Sequence, residues 1–213
     1  MELKARQREL RDGFPTNLAL RVHRAISWLG RAEREDDDLD ARFIFYWIAF
    51  NAAYAEDTQS TNEWGERACF EVYFEKIVRL DGDNRLYGLI WNRFAGPIRL
   101  LLNNRYVFAP FWSSRHGEKS IRDWEAAFAG SRRRVDRALA ETDTVVILSI
   151  LFDRLYVLRN QLIHGGATWN SSVNRDQVRD GAEIMSLLVP VFIDLMMGHS
   201  TVEWDEPYYP VVE

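Results

Sequence analysis

At 213 residues and 25.0 kDa the chain has room for one sizeable domain or two small ones. Its 47% hydrophobic and 28% charged residues, only 12 glycines and 6 prolines, and a single cysteine exclude a disordered, collagen-like or disulfide-framed protein and argue against a turn-rich all-β chain. A net charge of −5 excludes recruitment to nucleic acid by bulk electrostatics alone.

The opening segment MELKARQREL is charged throughout and has no apolar stretch of the signal-peptide kind. The longest unbroken apolar run, Phe43 to Phe50, has eight residues, well short of a membrane span. With Cys69 unable to pair within the chain, the expectation is a cytoplasmic protein with no membrane partner. Basic residues are skewed to 24 Arg against 3 Lys. Arginine grips phosphate and carboxylate at two points where lysine cannot, although a GC-rich genome produces the same bias.

Helical periodicity dominates in chain order. After Phe14-Pro15, Thr16 or Asn17 can cap a helix with apolar positions Leu18, Val22, Ala25, Ile26 and Leu29. The acidic residues Asp36, Asp37, Asp38 and Asp40 then precede a helix from Leu39 to Tyr54 and read as its cap and dipole complement; no second acid group supports a divalent-cation site. Apolar on nearly all sides, Phe43 to Phe50 suits a helix in the middle of a bundle. A further helix spans Glu63 to Leu80 and stops at Asp81-Gly82-Asp83. Another covers Asn84 to Phe94, interrupted at Gly96-Pro97 before Ile98 to Leu102 resumes.

The middle is the least regular part. Tyr106 to Trp112 (YVFAPFW) is either a base-stacking platform or, the commoner case, a hydrophobic flap sealing one end of a helical core. Ser113 to Lys119 reads as loop and Ile121 to Phe128 as a short helix. In Ser131 to Arg137 four arginines, among them Arg132, Arg133 and Arg134, form either a phosphate-binding patch or a solvated helix face. With no repeat and no Ser/Gly-rich linker, one domain is expected over 1–213, with core helices at about 17–55, 63–80, 144–164 and 175–197 and an insertion at about 81–143.

From Thr144 to His164 the apolar positions Leu148, Leu151, Phe152, Leu155, Leu158 and Leu162 mark one helical face, and Gly165-Gly166 ends it. Arg159, Asn160 and His164 therefore fall in the last turn and a half of a buried helix. Cations there are also what the negative end of a helix dipole attracts, so the placement has a plain structural reading beside a functional one.

The run Arg159-Asn160-Gln161-Leu162-Ile163-His164 resembles the hallmark of the HEPN superfamily, helical "higher eukaryotes and prokaryotes nucleotide-binding" domains. In these an Arg, usually followed by a polar residue, precedes a His by four to six positions. Two further segments, RFIFYWIAFNAAYA (Arg42 to Ala55) and WDEPYYPVV (Trp204 to Val212), are similar to stand-alone members in general character. The resemblance implies an all-α helical bundle with an elaborated middle segment, a two-fold homodimer, and a shared cleft lined by Arg159, Asn160 and His164 of both copies. It further implies a metal-independent endoribonuclease, of the toxin–antitoxin or defence kind, with an antitoxin or regulatory protein as possible partner. Members silenced by nucleotide transfer carry a Tyr two residues after the His; Gly166 stands there in this chain.

On a straight helix Asn160 and His164 lie about 40° apart, but Arg159 and His164 about 140°. Either the helix loosens before Gly165, or two copies of the motif face each other across a two-fold axis. Single-stranded RNA supplies its own nucleophile, the 2′-hydroxyl, which a neutral His164 could deprotonate while a protonated second His164 serves the leaving oxygen and Arg159 balances phosphate charge. No cofactor and no metal are expected: His23, His116 and His199 lack ligands at metal spacing, and no P-loop or nucleophile elbow is present. Asn51 and Tyr54 are polar groups on a buried helix that serve the core or line the cleft. The rival functions are a non-catalytic nucleotide-, RNA-binding or dimerisation module, and a bundle that docks another protein through its Trp204–Tyr209 tail.

Overall fold

The computed structural model describes residues 2–55, 63–93, 95–117 and 123–211; it is all-helical, with no strand among these residues. Its largest feature is an antiparallel pair, α2 (Thr16–Ala32) and α3 (Leu39–Tyr54), on which α10 (Arg175–Gly198) lies. α4 (Glu63–Leu80) packs against α9 (Thr144–Ile163) to close the bundle. Asp38 starts α3 by accepting from the Ala41 amide at 2.9 Å, and Asp143 starts α9 by accepting from Val146 at 3.0 Å, each satisfying an otherwise unpaired amide of a first turn.

The core is aromatic. Phe50 sits at its centre, its ring 4.3 Å from Phe152, 4.5 Å from Tyr54 and 6.0 Å from both Phe74 and Phe192. Trp47 meets Phe152 and Tyr156 at 6.3 and 6.1 Å, so α9 runs back along α3 with its last turns beside the start of α3. Gly181 brings α10 against both: a Cβ there would lie 3.1 Å from Leu155 and from Phe43. The middle segment is not a detached appendage, because Leu86, Ile90, Ile98, Leu101, Leu102, Val107 and Val135 belong to the same buried cluster.

The bounds of α3 and α4 coincide with those expected from the sequence. Elsewhere the chain departs from expectation for identifiable reasons. Neither Thr16 nor Asn17 caps α2: Pro15 occupies the cap position, with no side-chain cap, and the Asn17 amide instead donates to the Trp204 carbonyl at 3.2 Å. The helix expected over Asn84 to Phe94 is α5 (Arg85–Gly88) followed by a π-turn at Leu89–Arg93; Phe94 lies outside the described residues. Pro97 does not interrupt α6 (Ala95–Leu102) but falls in its first turn, where a missing N–H costs nothing. Ser113 and Ser114, expected in a loop, belong to α7 (Ala109–Arg115), which starts on Pro110 and is anchored by buried Phe111; the rest of that loop from 118 to 119 lies outside the described residues, as do Ile121 and Arg122. The short helix expected to end at Phe128 is the 17-residue α8 (Trp124–Ala140), which includes the arginine tract. At the other end, α1 (Glu2–Leu10) was not expected; it is fastened by the Arg6–Asp194 ion pair and by Leu3.

One described helix, α10, is long and apolar enough to cross a membrane, at a mean hydropathy of 1.6. It is the central strut of the bundle, with Val178, Ile184, Leu188, Phe192 and Met196 buried against its neighbours.

Candidate active site

The Arg-Asn-His turn stands at the end of the bundle where α9 finishes. Helix α9 stays α-helical through Ile163, and any loosening before Gly165 is confined to His164, at φ −89 and ψ 11. His164 is the C-cap; Gly165 follows at φ +69, and the Gly166 amide donates to the Gln161 carbonyl at 2.7 Å while that of Gly165 donates to Leu162 at 3.3 Å. This is the paired closure that a left-handed glycine allows at a helix end. A Cβ at 166 would stand 3.2 Å from the Gln161 oxygen, so the turn is shaped for glycine at the position where a tyrosine was noted as missing. Gly165→Ala forces a Cβ into the left-handed region and is expected to lower stability by about 1–2 kcal/mol, read as a shifted urea midpoint.

Within one chain the three side chains divide. The Arg159 guanidinium donates through Nη1 to Asn160 Oδ1 at 2.8 Å and lies 5.9 Å from the Tyr156 ring centroid. Its buried Nε has no hydrogen-bond partner. His164 is exposed, and its ring makes no hydrogen bond among the described residues. Arg159 and Asn160 thus form a hydrogen-bonded pair that the His164 ring does not join, although the His164 amide donates to the Asn160 carbonyl at 3.0 Å.

The segment after His164 is fastened to the start of α3. Trp169 Nε1 donates to Asp38 Oδ2 at 2.9 Å, the Asn170 amide to Asp40 Oδ2 at 3.0 Å, and Arg175 Nη2 to the same Asp40 oxygen at 2.7 Å. Asp38 and Asp40 therefore have different tasks: the first caps α3 and the second, nearly buried, pairs with Arg175. The Ala41 amide holds the Asp38 carboxyl below the usual carboxylate range against the opposing effect of burial, with further help from Trp169, the Asp40 amide and Arg175. Because its folded value lies below its unfolded one, Asp38 stabilises fully above the unfolded value and loses that effect as pH falls through the folded one. Asp38→Ala is expected to cost about 1 kcal/mol near neutral pH. In denaturation series the difference from wild type should shrink on acidification below about pH 4.

A second flank comes from the middle segment. A 3₁₀ turn, Arg105–Val107, lies along α9, where Gln161 Nε2 donates to the Tyr106 carbonyl at 2.6 Å and Trp112 Nε1 to the same oxygen at 2.8 Å. Arg154, buried in α9, donates to Ser131 Oγ at 2.7 Å and lies 4.5 Å from the Phe108 ring centroid. Val107, Phe108 and Phe111 turn inward, as a flap would, whereas Tyr106 and Trp112 remain on the surface. Sequence reasoning had the aromatic segment and had the motif, but not their contact. The signal available was the spacing of Arg154, Leu158 and Gln161, which places all three on one face of α9.

The remaining candidates separate. Arg132, Arg133 and Arg134 are exposed on α8, and Arg134 pairs with Glu71 at 3.4 Å. Tyr54 is buried in the aromatic core, 4.5 Å from Phe50 and 4.9 Å from Phe70, rather than at the α9 terminus. Asn51, a turn earlier, has a buried Oδ1 without a partner. Among the described residues no three His, Cys, Asp or Glu side chains gather to hold a metal. A cleft of about 540 Å³ lies at the far end of α3, between Pro15–Asn17 and residues 200–206. Glu203, Asp205 and Glu206 line it, which makes it a poor seat for a polyanion. Comparison with protein-family models, with curated proteins and with solved structures yields no match.

Proposed function

We propose that the chain is a HEPN-like, metal-independent endoribonuclease that cuts single-stranded RNA, working as a homodimer whose two Arg-Asn-His turns share one cleft. The observation that carries this reading is the division within one chain: Arg159 and Asn160 are locked together at 2.8 Å, and His164 stands free at the helix end. A two-fold partner supplies the opposite half, placing one chain's guanidinium near the other chain's imidazole. Exposed apolar side chains cluster in sequence around His164, with Ile163 49% exposed, Trp169 73% and Val173 88%, and these are groups that a partner could cover.

In this arrangement one His164 takes the proton of the 2′-hydroxyl, whose oxygen attacks the adjacent phosphorus. The His164 of the second copy gives a proton to the departing 5′-oxygen. Arg159 meets the added negative charge on the phosphoryl oxygens, and Asn160 fixes the guanidinium that does so. Arg132 and Arg133, which make no ion pair among the described residues, lie in reserve as contacts for a longer strand. The products are a 2′,3′-cyclic phosphate and a 5′-hydroxyl. A cytoplasmic toxin or defence effector, restrained by a regulatory protein, is the biological setting this chemistry suits.

The test is end-group analysis of matched RNA and DNA strands incubated in EDTA with protein of known oligomeric state. Cyclic-phosphate ends on RNA, with DNA intact, are expected. A folded dimer that binds RNA without cutting it would instead be a binding module.

A further inference from the structure

Resting on the reading of the α9 terminus as an RNA-cleaving site, we infer that Tyr106 and Trp112 form a stacking shelf for an unpaired RNA base next to the scissile phosphate. Four observations converge on this surface. First, it is joined to the site: the Tyr106 carbonyl accepts from Gln161, the residue after Asn160, at 2.6 Å. On the helix His164 lies about 60° around and about 4.5 Å along from Gln161, so shelf and imidazole occupy adjoining faces of one turn.

Second, the two rings are available and held. Tyr106 is 49% exposed and Trp112 36%. The Arg105 guanidinium lies 5.0 Å from the Tyr106 ring centroid and donates to its hydroxyl at 2.9 Å, while buried Phe111 buttresses both rings at 5.6 and 5.1 Å. Third, the core does not need them, since Val107, Phe108 and Phe111 already seal this end of the bundle. Fourth, the stretch of chain that carries the shelf is basic, although Asp123 and Glu125 flank Trp124, whose ring lies 5.0 Å from that of Phe111. From Asn84 to Gly117 the sequence holds Arg85, Arg93, Arg99, Arg105 and Arg115 and not one acidic residue, in a chain whose net charge is −5. Arg85 is neutralised by Asp194, but Arg99, Arg105 and Arg115 make no ion pair among the described residues. An aromatic platform edged by unpaired arginines is how single strands are held without sequence readout.

The experiment measures binding of a fluorescein-labelled, uncleavable 2′-O-methyl single strand of mixed sequence, and of the same strand in a duplex, to wild type, Tyr106→Ala, Tyr106→Phe and Trp112→Phe. Tyr106→Ala should weaken single-strand binding about tenfold, with the phenylalanine variants close to wild type and duplex binding unchanged by any of them. Equal loss on duplex and single strand would overturn stacking. Unaltered affinity of Tyr106→Ala beside RNA cleavage by wild type would overturn the shelf and leave the active site standing. Weakened affinity of Tyr106→Ala beside absent cleavage would keep the shelf and remove the catalytic reading. A wild type that binds no single strand overturns the shelf.

Discussion

His164→Ala is expected to lower the rate of RNA cleavage by about 10²–10⁴-fold for each proton transfer lost, and in a homodimer both transfers are lost together. The substitution should change little else. His164 is exposed, caps α9 through its backbone, and makes no side-chain hydrogen bond among the described residues, so folding has little stake in the imidazole. Arg159→Ala, by contrast, strips the Asn160 brace together with the proposed phosphate contact, and a fall of about 10²–10³-fold is expected from lost charge stabilisation. The check is single-turnover cleavage with all proteins matched for circular dichroism and oligomeric state. Retention of full activity by His164→Ala would place the chemistry elsewhere.

Arg21→Ala is expected to cost about 3–5 kcal/mol of folding stability, the largest effect anticipated away from the α9 terminus. Arg21 is completely buried. Its guanidinium donates to the Asp205 carbonyl at 2.9 Å, the Glu206 carbonyl at 3.2 Å and the Ala53 carbonyl at 3.0 Å, so one side chain clasps the C-terminal tail to the end of α3. Asn17, Lys76 and Arg24 add bonds to Trp204, Glu203 and Tyr209 carbonyls, and Trp204 is buried beneath Lys76. Removing the guanidinium opens a cavity and leaves carbonyls with nothing to accept from. Urea denaturation should show the loss, and limited proteolysis should cut the released tail first. Arg21→Lys, which keeps a charge but not a fork of donors, should fall between the two. Protease resistance of the tail in Arg21→Ala would contradict the clasp.

What the sequence disclosed and what it withheld follow a physical line. Helices α3 and α4 were legible to their termini because their boundaries are local: Asp38 caps one, and Asp81-Gly82 stops the other. The cap of α2 differs from expectation because the use of Asn17 is settled by a carbonyl 187 positions away. Helix α1 buries no residue and so carries no apolar periodicity to announce it, while its tie to the bundle, Arg6 to Asp194, spans 188 positions. Helix α8 runs past the expected end at Phe128, through Gly130 and the arginine tract, where local apolar periodicity is weak. Val135 and Ala138 bury its far half and keep it going.

The candidate site shows the same division. Its position at the end of a buried helix and the glycine closure could be read directly; α9 ends at Ile163, one residue short of the expected His164, and the left-handed Gly165 closes it. The partners of that turn could not. Gln161 reaches Tyr106 across 55 positions, and Trp169 reaches Asp38 across 131, pairings that only the folded chain creates. The five arginines between 84 and 117 are spread over 31 positions and form no contiguous motif like the one at 132–134, so their basic character shows only as an absence of acids from that stretch of sequence.

Dependence of cleavage on the 2′-hydroxyl follows if RNA supplies the nucleophile and the Arg159–His164 turn manages the protons. It is tested most directly by an end-labelled strand with a single 2′-deoxynucleotide at a mapped cleavage position, incubated with wild type in EDTA beside the all-RNA strand. The expected result is cutting of the all-RNA strand at that position and none where the 2′-oxygen is missing, with neighbouring positions unaffected. Cutting at the deoxynucleotide, or no cutting of either strand by folded protein, would contradict it.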